Sequence, residues 1–238
     1  MQKNKEIMQN IKNFGLSNNS LKIIAMVSMF IDHVGFILFP QYQIFRIIGR
    51  IAFPIFAYMI AEGCFYTRNR KKYLMLIAGL GIVCQLVSTI ATGSLYQNIL
   101  ITFSLAIAVI FAIDNFLKNK KTPSFLLMAF TVAGVIFISY VAPVIFESHG
   151  FKVDYGIWGV LLPVFVYFSP TKTLKIFFTT LILAIRIFLV GKLQLFALLA
   201  IPFLVLYNGK RGKLKMKYVF YIFYPAHLAI LHLINELI

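Results

Sequence analysis

The sequence predicts an all-α, polytopic integral membrane bundle of about nine transmembrane helices, with its N-terminus inside and its C-terminus outside. Three observations predict it. First, 61% of the 238 residues are hydrophobic and only 13% are charged, about half the charged fraction of ordinary soluble domains. Second, apolar runs of roughly 17 to 22 residues recur between short polar loops, the length a helix needs to cross a bilayer. Period-two alternation is absent, which excludes a transmembrane barrel. Third, the basic residues alternate by loop. All but five of the 23 fall within 3–22, 68–72, 118–121, 172–175 and 210–217. The opposite loops hold only Lys152 and Lys192, and the other three, Arg46, Arg50 and Arg186, fall inside apolar runs. Such alternation places the basic loops in the cytoplasm.

Taken in order, residues 3–14 set Ile7, Met8, Ile11 and Phe14 at helical spacing among Lys3, Lys5 and Lys12. That pattern predicts a short amphipathic segment over 1–20 lying on the inner leaflet, ahead of a single transmembrane domain over 21–238. Ser17-Asn18-Asn19-Ser20 offers N-cap candidates for the first span. Spans are expected at 21–39, 44–66, 73–92, 97–116, 124–145, 154–168, 172–190, 193–207 and 218–237. The sixth is short and contains Pro163, which suits a tilted or re-entrant piece. Pro54 and Pro225 each fall inside a span, where proline frees a backbone carbonyl, often beside a polar cavity.

Composition also excludes several classes. The net charge of +16 reads as membrane topology, so no nucleic-acid partner is expected. Cys64 and Cys84 lie in apolar runs and read as buried thiols; there is no disulfide framework or zinc spacing, and no metal is predicted. The polar first 20 residues, with no small-x-small site after the first apolar run, predict no cleavable signal peptide. Gly-x-Ser-x-Gly, His-Glu-x-x-His and Walker patterns are absent. So is the internal repeat of inverted-repeat transporters.

Function is expected where charge enters the apolar runs, since an ionisable residue at mid-bilayer costs about 2.5–3.5 kcal/mol. Depth along each span, at about 1.5 Å per residue, puts Asp32 and His33 slightly beyond the midplane. Arg46 and Arg50, four apart on one helix face, come near the outer end of the second span. Arg186 falls in the outer half of the seventh span, His227 near the middle of the last, and Glu62 towards the inner end of the second. Two carboxylates against three guanidiniums suit a shared polar cavity opening outward. In such a cavity His33, or His227 in its place, acts as a general base on an amine or hydroxyl. Asp32 orients the base or binds an ammonium, and Arg46 with Arg50 holds a carbonyl, phosphate or carboxylate oxygen.

Each residue also has an ordinary structural role to play. Asp32 and Arg50 can form an ion pair between helices, Arg46 can reach the outer headgroups, and His227 can bond a carbonyl in the core. His232 reads as interfacial, and Glu62-Gly63 as the small-residue contact of a close helix crossing.

Several motifs carry a resemblance. Leu21 to Met26 with Met29-Phe30-Ile31-Asp32-His33, then Arg46-Ile47-Ile48-Gly49-Arg50-Ile51-Ala52-Phe53-Pro54, followed by Ala61-Glu62-Gly63 and Thr67-Arg68-Asn69, resemble the TraX family of membrane proteins. So do Asn98 to Thr102, Asp154-Tyr155-Gly156, Leu206 to Gly212 and Phe223-Tyr224-Pro225-Ala226-His227-Leu228. The family is named for the conjugation protein that N-acetylates F-type pilin in the inner membrane, and it is similar to broader membrane acyltransferases. The resemblance implies a multi-pass protein of the bacterial cytoplasmic membrane that moves an acetyl group from acetyl-CoA to a protein, peptide or glycan acceptor at the outer face. His33, Asp32 and His227 would then be catalytic, with Arg46, Arg50, Glu62 and Arg186 binding substrate or the acyl oxyanion. Arg68, Arg70, Lys71, Lys72, Lys210 and Arg211 would receive the phosphates of coenzyme A, unless those loops are plain topology signals. Two rival readings remain: a proton-coupled transporter or flippase using Asp32, His33 and Arg50, and a non-enzymatic factor that assembles surface structures.

Overall fold

The computed structural model describes residues 15–212 and 217–237. Of the amphipathic segment expected over 1–20, residues 1–14 lie outside the described residues, and its end is already the first turn of a helix that starts at Asn18. Lys213 and Lys215 of the last basic loop also lie outside the described residues. Helices dominate the rest, and the chain is a multi-pass helical membrane protein. The helices are α1 (Asn18–Ile37), α2 (Gln43–Gly49), α3 (Ala52–Tyr66), α4 (Arg70–Thr92), α5 (Ile99–Asn119) and α6 (Thr122–Ile136). They continue with α7 (Ala142–Ile145), α8 (Gly156–Phe168), α9 (Lys172–Val190), α10 (Ile201–Val205) and α11 (Lys217–Leu237). Among the described residues, six helical stretches are long and apolar enough to cross a bilayer: Asn18–Ile37, Gln43–Tyr66, Arg70–Ile90, Ile99–Asn119, Thr122–Ile145 and Lys172–Val190. Gly156–Phe168 and Lys192–Val205 are apolar but shorter. The latter is a 3-10 helix over Lys192–Ala200 running into α10.

Two departures from uniform α-helix have local causes. The expected span 44–66 is broken at Arg50-Ile51. Pro54, in the first turn of α3, has no N–H to offer the Arg50 carbonyl, and its ring would clash there if the helix ran on. The span 124–145 contains a π-helical stretch, Phe137–Val141, in which the Ala142 N–H donates to the Phe137 carbonyl. Pro143 follows directly and cannot donate to Ser139, so the widened turn absorbs the missing bond.

The chain forms two compact units, Met1–Met59 with Leu183–Ile238, and Ile60–Ile182. In the first, α1 and α2 fold back on each other as an antiparallel hairpin, and α11 packs along α1. The start of α1 is held by the chain that precedes α11. Leu16 bridges Tyr207 in parallel, and the N–H groups of Asn18 and Asn19 donate to the carbonyls of Lys210 and Arg211 at 2.7 and 3.3 Å. Ser17, the N-cap, accepts from the Ser20 N–H, so the orphan donors of the helix start have partners.

In the second unit α5 is the buried element, with Phe103, Ala106, Ile107 and Ile110 inside and α4, α6 and α8 packed against it. One end is pinned by polar bonds. Asn98 caps α5 and donates to the Gly81 carbonyl and the Gln85 side chain of α4. Two short strands, Tyr96–Gln97 and Lys152–Val153, pair in parallel. Thr102 donates to the Asp154 carbonyl at 2.8 Å, and the Tyr96 hydroxyl to the Asp154 carboxylate at 2.9 Å. In contrast, α4 and α6 expose Ile82, Leu86, Ile90, Leu126 and Phe130. In a membrane those faces meet acyl chains rather than water.

Candidate functional site

The α1–α2 hairpin brings Asp32 against the guanidiniums of α2. Arg46 Nη1 donates to Asp32 Oδ2 at 2.5 Å and Arg50 Nη2 donates to Oδ1 at 2.9 Å, so each carboxylate oxygen takes one arginine. Arg50 also donates from Nε to the Arg46 carbonyl at 3.3 Å, and the Arg46 guanidinium covers the Phe36 ring at 5.0 Å. The four-residue spacing in α2 aims both guanidiniums at one target. Gly49 lies between them, and a Cβ there would overlap the Asp32 carboxyl. One turn along α1, Gly35 likewise receives Phe45. Small residues thus set the helix separation, as is usual where no hydrophobic force draws membrane helices together. Ser28 completes the contact by donating to the Ile48 carbonyl at 2.5 Å.

His33, the next residue of α1, turns to α11. Its Nδ1 lies 2.9 Å from His227 Nε2, and His227 Nδ1 lies 2.7 Å from the Phe223 carbonyl oxygen. The His227 ring is stacked on Phe223 at 4.7 Å and flanked edge-on by Phe30 and Tyr224. His227 is buried. The carbonyl bond expected of a core histidine is present, and the other ring nitrogen faces His33. The sequence offered the two histidines as competing bases; in the structure they form one hydrogen-bonded pair. Among the described residues the Asp32 carboxylate bonds the two arginines and makes no hydrogen bond to His33.

The other expected residues fall elsewhere. Arg186 is buried in α9, in the same unit as Asp32. Glu62 is buried in the second unit, where Lys175 Nζ donates to Oε1 at 2.6 Å. Lys175, counted with the basic cluster 172–175 and inside the expected span 172–190, is a helical residue with a buried partner. Sequence reasoning passed over Asp114, which takes Arg70 and, at 2.8 Å, Lys118. The Asp114/Lys118 spacing of four was the available signal. Arg70 is thus held at the base of α4, over the Phe111 ring. Lys71 and Lys72 line a shallow depression of about 400 Å³ with Asn69, Met75 and Leu76. Arg68 lies in the turn before α4. Lys210 and Arg211 enter the clamp on α1 through their main-chain carbonyls, which leaves that role independent of their side chains.

Comparison with known proteins adds to this geometry. A family model described as TraX protein matches residues 17–235. The chain is 26% identical to the probable fimbrial assembly protein FimC, serogroup H1, of Dichelobacter nodosus, over 92% of this chain and 96% of that protein. It is 32% identical to the uncharacterized protein RP591 of Rickettsia prowazekii (strain Madrid E), over 57% of this chain and 50% of that protein. No solved structure matches it. The family match begins at the N-cap of α1 and ends in the last turns of α11, taking in the arginine clamp and the histidine pair alike, and the chain belongs to the TraX family.

Proposed function

We propose that this protein is a membrane acyltransferase that moves an acetyl group from cytoplasmic acetyl-CoA to an amine or hydroxyl acceptor at the extracytoplasmic face. The observation that carries the reading is the adjacency of Asp32 and His33 in α1. One residue assembles two guanidiniums, and the next enters a histidine pair. A base beside a net positive cluster is what addition to a thioester needs. His33 takes the proton of the acceptor as its nitrogen or oxygen bonds to the thioester carbonyl carbon. The oxyanion that forms is stabilised by the charge of Arg46 and Arg50. When the carbonyl re-forms, the C–S bond breaks and the coenzyme A thiolate takes the proton from His33.

On this reading the chain spans the bacterial inner membrane nine times, N-terminus in and C-terminus out, because that arrangement puts the basic loops in the cytoplasm. Residues 21–238 act as one transmembrane domain. Arg68, Lys71 and Lys72 in one unit, and Lys210 and Arg211 in the other, are the candidates for the phosphates of coenzyme A; Arg70 is already paired with Asp114. Arg186, in the outer half of its span, serves the acceptor side; Glu62, towards the inner end of its own span, is taken by Lys175. The acceptor is a subunit of a surface fibre, by analogy with a relative named for fimbrial assembly. That same name favours a second reading, in which the chain holds a fibre subunit in the membrane without chemistry.

Binding of acetyl-CoA and of free coenzyme A to detergent-purified protein separates the two, with His33→Ala and Arg50→Ala alongside wild type. Specific binding of acetyl-CoA, with slow thioester hydrolysis that His33→Ala abolishes, supports acyl transfer. Folded wild-type protein that neither binds nor hydrolyses acetyl-CoA refutes it and leaves assembly.

A further inference from the structure

The histidine pair has a direction, and the direction assigns different roles to its two members. A carbonyl oxygen only accepts, so the His227 nitrogen 2.7 Å from the Phe223 carbonyl, Nδ1, carries a hydrogen. Neutral His227 then has a bare Nε2, which accepts from His33 Nδ1 across 2.9 Å. His33 in turn must be the Nδ1–H tautomer, with its lone pair on Nε2. That nitrogen makes no hydrogen bond among the described residues. A neutral pair admits no other order. The ring that sets the order is also the one held in place: His227 is 3% exposed and packed by Phe30, Phe223 and Tyr224.

We propose that His227 is a positioning residue. It holds His33 as the Nδ1–H tautomer, so that His33 Nε2 is the proton acceptor of the pair. The role is the one usually filled by a buried carboxylate behind a catalytic histidine, where the orienting group fixes the tautomer. Here the carboxylate next in sequence, Asp32, is committed to Arg46 and Arg50, and a backbone carbonyl acting through a second imidazole replaces it. When Nε2 takes a proton, His33 becomes an imidazolium whose Nδ1–H still points at the His227 lone pair. The charge is therefore stabilised without any rearrangement of the pair. The turnover part of this proposal rests on the acyl-transfer reading; the tautomer assignment does not.

The test is nitrogen-15 spectroscopy of histidine-labelled protein in detergent. The chain has only four histidines, and the His33 signals are identified by their loss in His33→Gln. Wild type should show His33 protonated at Nδ1 and bare at Nε2. His227→Phe removes the acceptor, and His33 should revert towards the Nε2–H form that a free histidine side chain prefers. His227→Gln, whose amide oxygen accepts from Nδ1–H, should keep the wild-type tautomer. In acetyl-CoA turnover, His227→Phe should lower kcat by about 10²–10⁴-fold, the usual weight of general base catalysis, with KM nearly unchanged. His227→Gln should recover a measurable part. The Gln variant also guards against misfolding of the Phe variant. A wild-type His33 protonated at Nε2, or a tautomer that His227→Phe leaves unchanged, overturns the proposal. If the tautomer pattern appears but wild type never turns over acetyl-CoA, the acyl-transfer reading falls and the pair's proton acceptor is still assigned.

Discussion

The carboxylate of Asp32 rests on the backbone of Gly49, with Arg46 and Arg50 reaching it from either side of that glycine. A methyl group at position 49 would occupy the space of the carboxyl itself, so Gly49→Ala must push α1 away from α2 or turn Asp32 off its partners. Overpacking of this kind costs about 1–3 kcal/mol. The expected result is a lower unfolding temperature in detergent together with loss of whatever activity the arginines support. Gly79, whose Cβ position is open, is the control. Gly79→Ala should leave the unfolding temperature unchanged or slightly raised, since alanine is the better helix former.

Removing the charge of Asp32 should be worse than removing one arginine. Asp32→Asn leaves two guanidiniums facing each other in a low-dielectric site, and breaking a buried pair typically costs about 3–5 kcal/mol. Arg46 is the more exposed of the two arginines, with 27% of its side chain accessible against 10% for Arg50. Arg46→Gln should therefore destabilise less than Arg50→Gln. Combining Asp32→Asn with Arg50→Gln should recover part of the loss. Thermal unfolding of the five proteins in one detergent gives the order, and a double variant no more stable than Asp32→Asn alone would argue against the pairing.

How much of this was legible in the sequence depends on how far apart the partners lie along the chain. Asp32, Arg46 and Arg50 could be read as a cluster because an antiparallel hairpin brings neighbouring apolar runs together and a spacing of four fixes the face. Gly49 was visible within the same motif, although its reason, the room it leaves for a carboxylate, was not. His33 and His227 were both singled out, but 194 residues separate them. Nothing local in the sequence says that α11 lies along α1, so a pair was read as two rivals. The break at Arg50-Ile51 escaped because hydropathy averages over a window and both sides are apolar; Pro54 was the only clue. Lys175 was counted with the basic cluster 172–175 because a basic residue near the end of a span ordinarily marks the cytoplasmic side. Its side chain pairs with Glu62.

That Glu62–Lys175 pair yields a third prediction. Glu62 is 5% exposed, so Lys175→Met takes the ammonium away from a buried carboxylate and should lower the unfolding temperature. Adding Glu62→Gln removes that negative charge, and buried ion pairs are often replaced by neutral side chains at little cost. The double variant should be more stable than Lys175→Met alone, with a coupling energy of about 0.5–3 kcal/mol in the cycle. Strict additivity would mean that the two side chains do not interact in the folded protein.

The last basic loop separates main-chain from side-chain roles. Lys210 and Arg211 hold the start of α1 through their carbonyls, which any residue can supply. The double variant Lys210→Ala/Arg211→Ala should therefore unfold within about 0.5 kcal/mol of wild type, as surface substitutions usually do. Gly212 sits at φ +88°, and a Cβ there would press on Ser17 and Asn19. Gly212→Val should consequently destabilise where the double alanine variant does not. If the Lys210 and Arg211 side chains also meet the phosphates of coenzyme A, the alanine variant should show a raised KM for acetyl-CoA with kcat unchanged. The rise should shrink as salt screens the wild-type interaction. A KM equal to wild type at low ionic strength would confine this loop to its part in the fold and leave Arg68, Lys71 and Lys72 as the phosphate-binding candidates.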